Sequence, residues 1–202
     1  GYKTITDKSV IVKFKILDSA RFDRVPKEWD SHSENLESLK RSNLYILAWT
    51  TTPWTLPGNV ALAVGKSIKY VIVEQNSENY ILAKDLVEKV FNNPRSDLKI
   101  LREFKGSDLI GLEYEPLFDI KGLKSDKSYK IYDADFVSTT DGTGVVHTAV
   151  MYGEDDYNLG TQLNLPKFHT VNEQGKFIHV SAELDGKYVK AKETEDLIIN
   201  HL

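Results

Sequence analysis

Two short segments gather the residue types that could do chemistry. The first runs Ala48-Trp49-Thr50-Thr51-Thr52-Pro53-Trp54-Thr55-Leu56-Pro57-Gly58-Asn59. Thr50, Thr51 and Thr52 close a strand that Pro53 must stop, because proline cannot donate to a sheet ladder. Their hydroxyls can each donate and accept, and they alternate between the two faces of the strand. Asn59 adds an amide, and the rings of Trp49 and Trp54 suit a pocket wall. The same residues also fit a plain threonine-rich strand end that caps a turn. The second segment runs from Thr139 to Tyr157. Gly142 and Gly144 permit a tight turn or a close approach, a strand carries His147, and Glu154, Asp155 and Asp156 open a helix. Acidic residues at a helix start complement its dipole, but a carboxylate facing a pocket there would suit a cation such as an α-amine. The Gly-x-Gly precedes a strand rather than a helix, so it is no dinucleotide fingerprint.

The elements expected to position these segments are mostly strands. Val10 to Ile16 alternates, as do Tyr70 to Val73 and Tyr80 to Leu82, while Leu44 to Trp49 is a continuous apolar run. Leu98 to Phe104, Tyr129 to Val137 and Gly144 to Val150 are further strand candidates. His169–Val171 and Lys176–Ile178 flank Asn172-Glu173-Gln174-Gly175 as a hairpin. Helical periodicity is confined to Lys84–Phe91, Glu154–Leu163 and the weaker Glu34–Lys40. Ser19 to Asn43 reads as a surface excursion. With no repeat or linker, residues 1–202 form a single β-rich domain with a few helices packed on it.

Composition narrows the function classes. The chain has 202 residues, 41% hydrophobic and 28% charged, an ordinary globular balance with material for a real core. There is no run near the ~20 apolar residues of a spanning helix and no signal-peptide pattern. Zero cysteines exclude a thiol nucleophile and cysteine-ligated zinc, and the five scattered histidines give no metal-site spacing. No threonine has a neighbouring base in sequence that would activate it. A net charge of −4 excludes a strongly basic nucleic-acid coat. Lys121, Lys124, Lys127 and Lys130 form one basic stretch, and Arg95, Lys99, Arg102 and Lys105 a second; both fit an ordinary solvated surface as well as a weak, salt-sensitive RNA contact. A start at Gly1 rather than Met leads to the expectation of a piece of a larger protein.

Trp49-Thr50-Thr51-Thr52-Pro53-Trp54-Thr55-Leu56-Pro57 resembles the threonine-rich signature of isoleucyl-tRNA synthetase editing domains. Gly142 to Ala149, followed by Gly153 to Tyr157, resembles the second signature of that domain, and Lys105 to Phe118 resembles a third segment between them. The three motifs span about residues 44–178 in the right order. The valyl and leucyl enzymes are less similar, carrying Thr-Thr-Arg-Pro where this chain has Thr52 and Trp54 around Pro53. Val150-Met151-Tyr152 departs from the proline-containing loop of many bacterial members. The catalytic-core motifs of HIGH and KMSKS type are missing. The resemblance therefore implies the connective-peptide insertion alone: a mainly β, barrel-like domain with short peripheral helices. It implies no cofactor for this chain, although a parent synthetase would use ATP and magnesium.

What such a domain does follows from energetics. A hydrophobic pocket gains only ~1–3 kcal/mol from one methylene, and isoleucyl-tRNA synthetase is itself the standard illustration of that limit. A second, smaller site that hydrolyses valyl esters corrects the error. The resemblance implies that Asp156 anchors the substrate ammonium and that His147 lines the side-chain pocket and rejects isoleucine by bulk. Thr50, Thr51 and Thr52 would bond the ester, the terminal ribose and the attacking water; Asn59 would support the ribose or the loop; Trp54 would be a wall or a core residue. The implied partners are the 3′ acceptor end of tRNA(Ile) carrying valine and the rest of a cytoplasmic synthetase. The chain itself is expected to be monomeric, with no membrane contact. Two alternatives stand beside this: a non-catalytic module that docks the acceptor end, and an editing domain for a different amino acid.

Overall fold

In the computed structural model, residues 9–17, 43–91 and 98–202 are described. The expected helix at 34–40, most of the 19–43 excursion and Arg95 lie outside them. The described strands form two sheets. The larger has the order β1-β2-β5-β4-β6, with β1 Val10–Lys15, β2 Leu44–Thr50, β4 Lys69–Gln75, β5 Glu78–Ala83 and β6 Lys99–Lys105. The smaller has β3 Ala61–Val64 at its centre, parallel to β7 Lys130–Asp133 and antiparallel to β8 Val145–Thr148. β2 packs against β8 where the sheets meet. The mainly β fold is as expected, but the described strands divide into two sheets rather than closing into one barrel.

Burial follows the covering of each strand. β1 alternates because only one face meets the core: Val12 and Phe14 are buried, Ile11 and Lys13 exposed. β4 is buried on both faces. Tyr70 and Ile72 join the main core with Phe14, Ile46 and Ile81, whereas Val71 and Val73 pack with Leu82 and Val87 beneath helix α1 (Val87–Phe91). Asn76 and Ser77, both at positive φ (52° and 64°), make the two-residue turn between β4 and β5.

Several expected boundaries move for identifiable reasons. The strand anticipated over 129–137 stops at Asp133 because its partner β3 ends at Val64, paired with Asp133. The strand over 144–150 stops at Thr148 because the Ala149 N–H is donated to Asp156 rather than to a neighbouring strand. The hairpin over 169–178 keeps its turn, with Asn172 Oδ1 accepting from the backbone of Gln174 and Lys176 and Gly175 at φ +71°. It pairs at a single bridge, Val171–Phe177, closed by the Asn172 N–H on the Lys176 carbonyl and the Ile178 N–H on the Thr170 carbonyl, both at 2.9 Å, while the outward Phe177 N–H bonds the Lys187 carbonyl at 3.0 Å. Helix α2 (Glu154–Leu163) appears where expected. Strand β3 and helix α3 (Lys192–His201) are additions. α3 packs on the 3-10 turn Pro53–Gly58 and so backs the threonine segment.

Candidate functional site

The two segments that drew attention in the sequence meet in space. β2 delivers Thr50 at its end, buried, where its Oγ1 accepts from the Thr52 N–H at 3.1 Å and lies 3.3 Å from Thr52 Oγ1. Thr51 and Thr52 are exposed. The chain then enters the Pro53–Gly58 turn, which the fixed φ of two prolines favours. The Thr52 carbonyl accepts from both the N–H (3.0 Å) and the hydroxyl (2.9 Å) of Thr55.

Thr55, which sequence reasoning passed over, is the link to the second segment. Its Oγ1 lies 2.9 Å from His147 Nε2 on β8. The only hydroxyl proton of Thr55 goes to the Thr52 carbonyl, so Thr55 accepts here and His147 donates from Nε2. That assigns the Nε2–H tautomer and leaves Nδ1 a lone-pair acceptor, buried without a protein partner. Burial pushes the imidazole down to about 4, so it is neutral at physiological pH. A neutral, buried ring is a shaped wall and a hydrogen-bond acceptor, and its low basicity argues against a role as general base near pH 7.

β8 ends in the turn Ala149–Tyr152, closed by the Tyr152 N–H donating to the Ala149 carbonyl at 2.9 Å. Asp156, in the first turn of α2, accepts the Ala149 N–H on Oδ2 at 2.9 Å. A residue serving only as a cap would satisfy the helix's own first N–H groups; Asp156 instead reaches back to the loop below His147. Desolvation raises its carboxyl to about 6, the Ala149 bond opposes that rise, and the neighbouring Asp155 charge adds to it. Among the described residues no Lys, Arg or His lies within 4 Å of it, although eight other ion pairs are formed. The arrangement is a half-buried carboxylate with no cation paired to it among the described residues.

The remaining expected residues divide. Asn59 is buried and turned inward: its Nδ2 donates to the Ala61 carbonyl at 2.9 Å and its Oδ1 accepts from the Tyr114 hydroxyl at 2.7 Å. It thereby fixes the exit of the threonine turn. Trp54 is half-buried and meets Tyr152 edge-on, with ring centroids 5.3 Å apart. The first basic stretch is largely spent within the fold. Lys124 pairs with Asp119, Lys130 with Glu113 at 3.1 Å, and Lys127 Nζ donates to the Leu163 carbonyl at the end of α2 at 3.0 Å. Two open clefts lie elsewhere, one of about 390 Å³ beside Trp49 and Lys89 and one of about 500 Å³ between Asp133 and α2. Neither is lined by the threonines, His147 or Asp156, so neither holds the chemistry that the two motifs point to. Among the described residues no three His, Asp or Glu side chains are grouped as metal ligands.

Gly144 holds the turn that feeds β8. It sits at φ +74°, and a Cβ there would stand 2.4 Å from the Cβ of Ala83, while its carbonyl accepts from the buried Tyr70 hydroxyl at 2.6 Å. Gly144→Ala is expected to destabilise the fold by about 3 kcal/mol through left-handed strain and overpacking. A urea titration checks this; a change under 1 kcal/mol would show that the turn can relax.

Comparison with solved structures places this architecture in a known class. The editing domain of the cytosolic leucyl-tRNA synthetase from P. knowlesi superimposes with a TM-score of 0.63 over 96% of this chain and 82% of that one, at 15% identity. The corresponding P. falciparum domain gives 0.60 over 96% and 86%, at 13% identity. The chain therefore has the fold of an aminoacyl-tRNA synthetase editing domain. No family model matches it. Its sequence relatives are isoleucine–tRNA ligases: that of Clostridium novyi is 44% identical over 190 residues, covering 94% of this chain and 16% of that protein. The Clostridium tetani enzyme is 39% identical over 195 residues, again with 16% of its length covered. The chain thus spans about one sixth of the relatives it matches; it belongs to the isoleucine–tRNA ligase family and has the fold of that enzyme class's connective-peptide domain.

Proposed function

We propose that this domain hydrolyses the ester of valine mistakenly attached to tRNA(Ile), with valyl-adenylate as a second substrate class, within a cytoplasmic isoleucine–tRNA ligase. The observation that carries the reading is Asp156: a half-buried carboxylate without a described counter-ion, fixed by Ala149 beside the threonine turn. An α-ammonium supplies the missing charge. With the amine held there, the aliphatic side chain would lie against His147, and the ester and ribose would reach the exposed hydroxyls of Thr51 and Thr52. Water positioned by those hydroxyls attacks the ester carbonyl; as the bond to the ribose oxygen breaks, the proton the water gives up is relayed through the surrounding hydroxyls and solvent to that oxygen, leaving free valine and the ribose hydroxyl. Catalysis is then orientation and charge stabilisation rather than covalent chemistry. Most affinity for tRNA is assigned to the rest of the synthetase, consistent with a net charge of −4 and internally paired lysines.

Two tests follow from the amine anchor. Valyl-adenosine should be hydrolysed, whereas its N-acetylated form should react at least 100-fold more slowly, because acetylation removes the cation; equal rates would contradict the role of Asp156. The pH dependence gives a second test. In the folded chain Asp156 stays protonated up to about 6, above its ordinary value of 3.8, so the folded state binds more protons across that window. This group's contribution to stability therefore improves as pH falls from 6 towards 4, while activity, which needs the carboxylate, declines. Urea midpoints and kcat/KM measured together should move in opposite directions there, and Asp156→Asn should remove this component of both. Parallel movement would contradict the assignment.

A further inference from the structure

We infer that Tyr152 is a positioning residue that sets the separation between the threonine turn and Asp156, and with it the length of side chain the site accepts. The inference rests on the reading just given and deepens it. The segment Ala149-Val150-Met151-Tyr152-Gly153 contains no proline to stiffen it, yet it carries the N–H that holds Asp156. Tyr152 supplies the missing restraint from three directions.

Its ring lies against the threonine turn: a Cβ added to Gly58 would stand 2.8 Å from Tyr152 Cε2, and the Trp54 ring meets it edge-on at 66°. Its backbone N–H closes the Ala149 turn, whose own N–H is bound by Asp156. Its hydroxyl is tied to a third segment, accepting the Thr170 N–H at 2.7 Å and lying 2.8 Å from Thr170 Oγ1. Thr170 is fully buried, which makes it a rigid post. A flat ring with two rotatable bonds, pinned at its far end, transmits that post's position to both motifs. Gly58 is bare because the ring occupies the space a side chain would take. Movement of the ring changes the gap between the amine anchor and the turn that lines the pocket. The hydroxyl of Tyr152 is thus a determinant of valine-over-isoleucine selectivity without touching the substrate.

The test compares the full ligase carrying this domain, wild type against Tyr152→Phe and Thr170→Val, using Val-tRNA(Ile) and Ile-tRNA(Ile), with urea midpoints of the domain taken in parallel. Thr170→Val removes only the Oγ1 contact and keeps the backbone bond, so it reports the same coupling if Tyr152→Phe folds poorly. The expected result is a roughly tenfold fall in kcat on the valyl substrate for Tyr152→Phe with KM within twofold, a narrowed valyl-to-isoleucyl ratio, and a smaller change in the same sense for Thr170→Val. A purely structural role would lower the urea midpoint and leave the ratio and the kcat of the folded protein unchanged. That outcome in both variants, with an active wild type, overturns the role of Tyr152 and leaves the hydrolase reading standing. A wild type inactive on both substrates overturns that reading and this inference with it.

Discussion

Asp156→Asn is expected to lower kcat/KM for a valyl ester by about 100- to 1,000-fold while leaving the loop in place. Asparagine keeps an oxygen for the Ala149 N–H, which Asp156 Oδ2 accepts at 2.9 Å, so the backbone that shapes the site is retained. What disappears is the charge. Truncating one member of a desolvated charge pair costs about 2–5 kcal/mol, and 1.36 kcal/mol is a factor of ten. The loss belongs in binding as well as rate, since the ammonium is held in both ground and transition states. Asp156→Ala should lose the same activity and additionally release the Ala149 N–H, so only the alanine variant should disturb the end of β8. Amide exchange at Ala149 separates the two variants. Normal valyl hydrolysis by either would show that the carboxylate serves the helix and not a substrate.

His147→Ala is expected to raise hydrolysis of the isoleucyl ester by about 10- to 200-fold, the range that one methylene can command in an apolar pocket. The ring's environment is the reason. His147 is buried, neutral, and held through Nε2 by Thr55, which is itself fixed by the Thr52 carbonyl. It can therefore exclude bulk from a defined place and gains no charge between pH 6 and 8. Valyl hydrolysis should change far less, because the amine anchor and the hydroxyls remain. Steady-state rates on both esters measure this. A variant that still rejects the isoleucyl ester would move the size filter elsewhere, and one that loses valyl hydrolysis by the same factor would give His147 a role in the reaction step.

Several of these features are legible in the sequence alone. The threonines before Pro53, the acidic start of α2 and the β1 alternation all stand in the sequence, because each reflects a local rule: a proline stop, a dipole, a half-buried strand. β3 was not readable. Ala61–Val64 is four buried residues paired on both sides, so it has neither alternation nor length to distinguish it, yet it carries β8 and hence His147. α3 was hidden by a polar composition relieved by little more than Leu197 and the fully buried Ile198. The roles of Thr55 and Tyr152 are hidden for a related reason. Their importance lies in partners 92 and 18 residues away, and no spacing rule reports such contacts. The lysine stretch shows the opposite case, a conspicuous pattern whose members are largely consumed by Asp119, Glu113 and the end of α2.

The central claim is that this chain holds a site able to tell valine from isoleucine on tRNA. Single-turnover hydrolysis of Val-tRNA(Ile) and Ile-tRNA(Ile), presented by the full ligase carrying this domain and again with Asp156→Asn, tests it most directly. The account predicts valyl release at least tenfold faster than isoleucyl, with the valyl rate falling by two orders of magnitude or more in the variant. Equal rates on the two esters, or a valyl rate untouched by the substitution, would contradict it.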